Sequence, residues 1–155
     1  MISTQDYLWY VDAALDAMVA ILGELGDEGA NQRLDTPGAN SPYAVVTHCL
    51  GVMEFWGGYA VAGRRIERDR EAEFRAGGDV AGLVLRVRAA REQLVADLDD
   101  LEPAAPVRGA LDEDDSSLPL GRTQGGAVIH LYEELAQHLG QLEVTRDVLL
   151  AARAR

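Results

Sequence analysis

Between Val128 and Leu142, in VIHLYEELAQHLGQL, the residues His130, Glu134 and His138 recur every four positions within an otherwise apolar helical pattern. Four residues make about one helical turn, so neighbouring members of the row project from the same face. Two side chains at i and i+4 can close on one metal ion, and a third ligand from elsewhere leaves a coordination position open for water or substrate. His48 is the candidate for that third ligand, being the one other histidine and lying inside a second strongly apolar segment. The competing reading is structural, with a hydrogen-bonded core histidine and Glu133-Glu134 as a solvated edge.

Helices must hold these residues, and the chain supplies four. Leu8, Val11, Leu15, Met18, Leu22 and Leu25 step by three and four, which predicts an amphipathic helix from Thr4 to about Leu25, ended by Gly26 and Gly29. The stretch LDTPGANSP that follows is a loop. Ser41 as cap and Pro42 at the first helical position start a second helix that runs to about Gly63. Its apolar face, Val45, Cys49, Val52, Trp56 and Tyr59, is widened by His48, Met53 and Phe55, so His48 is expected to be buried. Cys49 is rotated by roughly 100° from His48 and is expected in the core, outside any shared ligand set.

Residues 64–78 are highly charged, with Ile66 and Phe74 as their large apolar anchors, and read as a connection. Asp79 caps a third helix whose seam of Val80, Leu83, Val87, Ala90, Leu94, Leu98 and Leu101 ends before Pro103. From Glu102 to Arg122, three prolines and the acidic run Asp112 to Asp115 exclude regular structure. A loop of that length is either a lid or site wall, or a surface excursion. Thr123 caps the fourth helix, which carries the His130-Glu134-His138 row onward through Leu142, Thr145 and Leu149.

Four amphipathic helices without strand-like alternation predict an all-α fold, a four-helix bundle formed by residues 1–155 as one domain. A helix of about 22 residues is roughly 33 Å long, and a connection of about 15 residues reaches up to about 50 Å. The segment after helix two is thus long enough to return along the bundle, which allows helices two and three to run parallel.

The 155 residues are 48% apolar and 26% charged, ordinary for a folded soluble domain. A net charge of −12, with no cluster of basic residues, argues against nucleic acid and against an anionic membrane. The 14 basic residues are all arginine. A single cysteine, Cys49, cannot form an intramolecular disulfide, and the N-terminus is acidic where a signal peptide is basic. With no apolar run near the ~20 residues that span a bilayer, a cytoplasmic location is expected.

Two stretches carry a family resemblance. SPYAVVTHCLGVMEFW is similar to the Ser-then-His second helix, and HLYEELAQHLGQLEVTRDVL to the metal-bearing last helix, of the DinB/YfiT-like superfamily of helical-bundle metalloenzymes. Within it, the chain resembles the mycothiol-dependent group of maleylpyruvate isomerase-like and mycothiol S-transferase proteins. The resemblance implies a four-helix bundle in up-down-down-up order and, by position, the metal ligands His48, Glu134 and His138. It sets His130 aside, whose Cα stands about 12 Å from that of His138 along a helix. Many relatives have Gly-His where this chain has Gly140-Gln141, so one family histidine is absent.

The expected function is that of a divalent-metal-dependent enzyme, with zinc foremost and nickel or iron as alternatives. It uses a mycothiol-type thiol as cosubstrate for S-transfer to, or isomerisation of, a small electrophile. The alternatives are a metal-dependent amide or ester hydrolase using the same ligands, and a non-catalytic bundle that binds a small ligand. The expected partners are small molecules, with a homodimer as the assembly the resemblance allows.

Overall fold

The computed structural model describes residues 2–111 and 121–154, and its helices are α1 (Thr4–Asn31), α2 (Pro42–Met53), α3 (Arg70–Arg75), α4 (Val80–Asp97) and α5 (Gln124–Arg153). A π-helical segment, Glu54–Val61, continues α2 without a break. The four long helices start where the sequence provides a cap. Ser3, Ser41, Asp79 and Thr123 each accept a hydrogen bond from a backbone N–H of the first turn, satisfying a donor that has no intrahelical partner. The acidic run Asp112 to Asp115 lies outside the described residues.

The third of the expected helices, here α4, stops at Asp97, short of its seam residues Leu98 and Leu101, and three further features differ from the expectation. Gly26 does interrupt α1, at a left-handed φ of 62°, yet the helix resumes for one more turn to Asn31. The Asn31 amide donates to the Gly78 carbonyl and its side-chain oxygen accepts from the Gly78 N–H, at 2.8 and 3.0 Å. That tie gives the extra turn a tertiary purpose local sequence could not reveal. The expected regular helix from Ser41 to Gly63 becomes π-helical over its last two turns, where the Ala62 N–H reaches back five residues to Gly57. Gly57 and Gly58 let neighbours pack closely on this segment, since a Cβ there would collide with Leu94 and with the Arg64 guanidinium. The third difference is α3, inside the segment expected to be a plain connection.

Side-chain ties fix the direction of each helix. Tyr7 bonds to the Val128 carbonyl and Arg153 to that of Leu25, so α1 and α5 run parallel. Asp27 accepts from the Val80 N–H while Asp12 pairs with Arg91, so α4 runs opposite to α1. His48 lies against His138 and Trp56 against His130, which makes α2 antiparallel to α5 and parallel to α4. The order is up-down-down-up, with α2 and α4 parallel as the connection length allows. A continuous core including Met18, Leu22, Met53, Leu83, Leu94, Leu131 and Leu135 runs between the four.

The described part of the 102–122 stretch is tied to the bundle. Arg108 donates its N–H to the Ala60 carbonyl, and the backbone of Gln124 and Gly125 bonds to Ala105 and Pro103. The buried Gln124 side chain accepts from the Glu102 N–H and donates to Pro106. Among the described residues no helix is long and apolar enough to cross a membrane.

Candidate metal centre

α2 is apolar on nearly every side, so any polar group it buries needs a specific partner. His48 is buried, and its Nδ1 lies 2.8 Å from Glu73 Oε2. A carboxylate accepts, so the Nδ1–H donates and Nε2 is left with its lone pair. The ring stacks on Phe74 at 4.5 Å and meets His138 edge-on at 4.9 Å. Both Glu73 and Phe74 come from α3, a six-residue helix whose Asp69 cap accepts from the Ala72 N–H. Glu73 is itself buried, and Arg68 donates to both of its oxygens, at 2.8 and 3.0 Å.

From α5, Glu134 and His138 project one turn apart towards His48. The His138 Nδ1 sits 2.9 Å from the side-chain oxygen of Gln141. Its Nε2 consequently faces Glu134 Oε2, at 3.5 Å, while the His48 Nε2 faces the same oxygen at 3.6 Å. These separations exceed a good hydrogen bond. They match the ~3.4 Å expected between atoms sharing one tetrahedral ion at about 2.1 Å. One ligand atom from each of His48, Glu134 and His138 lies within 4.8 Å of the others.

The chemistry of this set fits a cation. Each imidazole has its Nδ1 committed to an oxygen, so two lone pairs and a carboxylate converge on one point and repel unless a positive charge lies between them. The titration directions carry the same field. The imidazoles of His138, foremost, and of His48 hold the Glu134 carboxyl well below the usual carboxylate range, and Glu134 in turn raises the His138 imidazole. A cluster that attracts a proton this way also attracts a metal ion.

His130 sits one turn away from the others. Its Nδ1 is 3.0 Å from Glu133, its Nε2 is 3.8 Å from the second oxygen of Glu134, and Trp56 meets its ring edge-on. The structure thus brings His48, Glu134 and His138 together and leaves His130 on the far side of the shared carboxylate. Cys49 is fully buried, and burial, reinforced by the Glu134 charge, drives its thiol far above the usual range. It cannot present a thiolate.

Glu73 and Arg68 are not visible as site residues in the sequence, and Phe74 is visible only as an apolar anchor, because their segment lacks helical periodicity and counts mainly as charge. The available signal was short: Asp69 three residues before Ala72 as a cap, with Phe74 as an apolar anchor. Gln141 was legible only as a departure from the family pattern. In the fold it is the partner of the His138 Nδ1.

A family model described as the DinB superfamily matches residues 10–142. No curated protein matches the chain.

Proposed function

The chain belongs to the DinB superfamily, and from that premise and the converging donor set we propose that it is a divalent-metal-dependent enzyme acting with a low-molecular-weight thiol. The thiol is of the mycothiol type, and the reaction is S-transfer to, or isomerisation of, a small electrophile. His48, Glu134 and His138 hold the metal, with zinc the first choice for two imidazoles and one carboxylate. When bound, such an ion is a Lewis acid that lowers the pKa of a thiol or water. The observation that carries the reading is the commitment of both Nδ1 atoms, to Glu73 and to Gln141, which turns both Nε2 lone pairs towards Glu134.

The chain's own residues divide the remaining work. Glu134 supplies the one anionic ligand atom, the same Oε2 facing both His48 and His138. Phe74 stacks on the His48 ring and Trp56 meets the His130 ring edge-on, which sets apolar surface against both imidazoles. With Cys49 sealed in the core, the sulfur nucleophile has to come from outside the protein, which supports a thiol cosubstrate.

Cobalt substitution tests this. Sulfur ligation gives charge-transfer absorption that water does not, so free mycothiol, or a close thiol analogue, is expected to change the spectrum, and its S-methyl form is not. A spectrum indifferent to every thiol, with thiol-independent hydrolysis of an ester or amide, replaces the transferase reading with the hydrolase one. Absence of stoichiometric metal after purification without a His tag, together with failure to load cobalt, removes both.

A further inference from the structure

We infer that Glu73 and Arg68 are a positioning pair that dictates which nitrogen of His48 is offered to the cluster, so that α3 sets metal affinity without supplying a ligand. The affinity part rests on the metal reading above; the tautomer part does not. A neutral imidazole carries one N–H, and its location follows from the partner of either nitrogen. At His48 the partner is Glu73 Oε2, 2.8 Å from Nδ1. Arg68 Nη2 approaches that same oxygen at 3.0 Å and stands 3.4 Å from Nδ1. A guanidinium only donates, so its 3.4 Å approach favours a lone pair on Nδ1, but the shorter contact with the anionic Glu73 oxygen outweighs it and the proton stays on Nδ1.

A carboxylate this buried is unfavourable unless its charge is matched. Arg68 matches it with a two-pronged contact, and the guanidinium is itself held over the Phe55 ring, 5.5 Å from its centroid. Glu73 also needs room. It packs against Gly51, one turn from His48, where an added Cβ would overlap its carboxyl group. Three residues that coordinate nothing, Gly51, Arg68 and Glu73, thereby fix one ring.

The chemistry gives a sharp discriminator. In Glu73→Gln a single oxygen and an NH2 group replace the two acceptor oxygens that served three N–H groups. With the oxygen opposite Arg68 Nε, the shorter of the two arginine contacts at 2.8 Å, the NH2 group faces His48 Nδ1, and the proton moves to Nε2, blocking that ligand atom. Adding Arg68→Met frees the amide oxygen to accept from Nδ1 again. Gly51→Ala should displace Glu73 while favouring the helix, since alanine is the better helix former.

The test uses the full-length chain, with nitrogen NMR of the His48 ring in metal-free protein above the ordinary histidine pKa of about 6.5, and zinc affinity by chelator competition. The expected result is an unprotonated Nε2 in the parent and a protonated one in Glu73→Gln. Zinc affinity should fall about 10–100-fold in Glu73→Gln and in Gly51→Ala, with recovery in the double variant. A purely structural ion pair would lower thermal stability in all three and leave the tautomer and the zinc affinity of the folded protein unmoved, overturning the inference. Failure of the double variant to recover removes Arg68 from it. If Glu73→Gln does not fold, Gly51→Ala decides alone. A parent that binds no zinc defeats the metal reading, and the tautomer comparison still settles the positioning role.

Discussion

Glu134 on α5 and Glu73 on α3 both reach His48, from opposite sides of its ring, and their surroundings assign them different work. Glu73 has a side chain 10% exposed and a guanidinium on both oxygens; Glu134 is 27% exposed and has only imidazoles around it. A carboxylate whose charge an arginine has already matched has little left for a metal, and serves as a hydrogen-bond acceptor that orients. One whose charge is matched by nothing permanent is a ligand in waiting. Charge compensation thus joins distance to the histidine, 2.8 Å for Glu73 and 3.6 Å for Glu134, in setting the supporting carboxylate apart from the one proposed to coordinate.

The comparison breaks first at the imidazoles. His48→Ala and His138→Ala are each expected to abolish stoichiometric zinc binding in a competition assay while the helical circular dichroism stays largely unchanged. Core packing from Met18 to Leu149 holds the helices, and the cluster sits on them. Retained zinc in either variant would show that the two Nε2 atoms do not share an ion.

Glu134→Gln comes next. Both imidazoles survive, but the anionic donor is gone, so zinc affinity should drop by at least about tenfold, on the scale of roughly 1.4 kcal/mol or more. The substitution keeps size and shape, which makes lost packing a poor explanation. Zinc affinity equal to the parent's would mean that Glu134 is no ligand, and the contrast with Glu73 would collapse.

The legible and illegible parts of the centre follow the same division. The row on α5 could be read because helical spacing alone brings Glu134 and His138 together, and His48 could be read because a histidine in an apolar helix needs a partner. The bundle was readable from seams and caps, and its helix order from the family resemblance, with a connection length that allowed it. Glu73 was not, because its role depends on a six-residue helix folding back onto α2, a tertiary fact with no periodic trace. The π-helical turns after Met53 left only the Gly57-Gly58 pair as a hint, and the continuation of α1 past Gly26 depends on Asn31 meeting Gly78.

A smaller effect is expected from pH. Glu134 raises the His138 imidazole above its ordinary value of about 6.5. The metal-free protein therefore takes up this proton at higher pH than a free histidine would, and zinc must displace it. Apparent affinity should fall as pH is lowered, by about tenfold per unit for one displaced proton, starting above the ordinary histidine range. Glu134→Gln removes the main cause of the raised value and should shift that onset downward. An onset that stays where it was in the Gln variant would break the link between the two residues.

The smallest effect is expected at His130, whose type and spacing equal those of His138. Its Nδ1 is held by Glu133, and its Nε2 meets the oxygen of Glu134 that faces away from His48. Its ring is packed edge-on against Trp56, in the α2 continuation rather than beside the converging nitrogens. His130→Ala should therefore leave zinc stoichiometry intact and change affinity only a few-fold, well under the 10–100-fold typical of groups that orient a ligand directly. The residual change would come through Glu134, whose second oxygen lies 3.8 Å from the His130 Nε2. Zinc loss equal to that of His138→Ala would place His130 in the ligand set and shift the centre one turn along α5, away from Glu73.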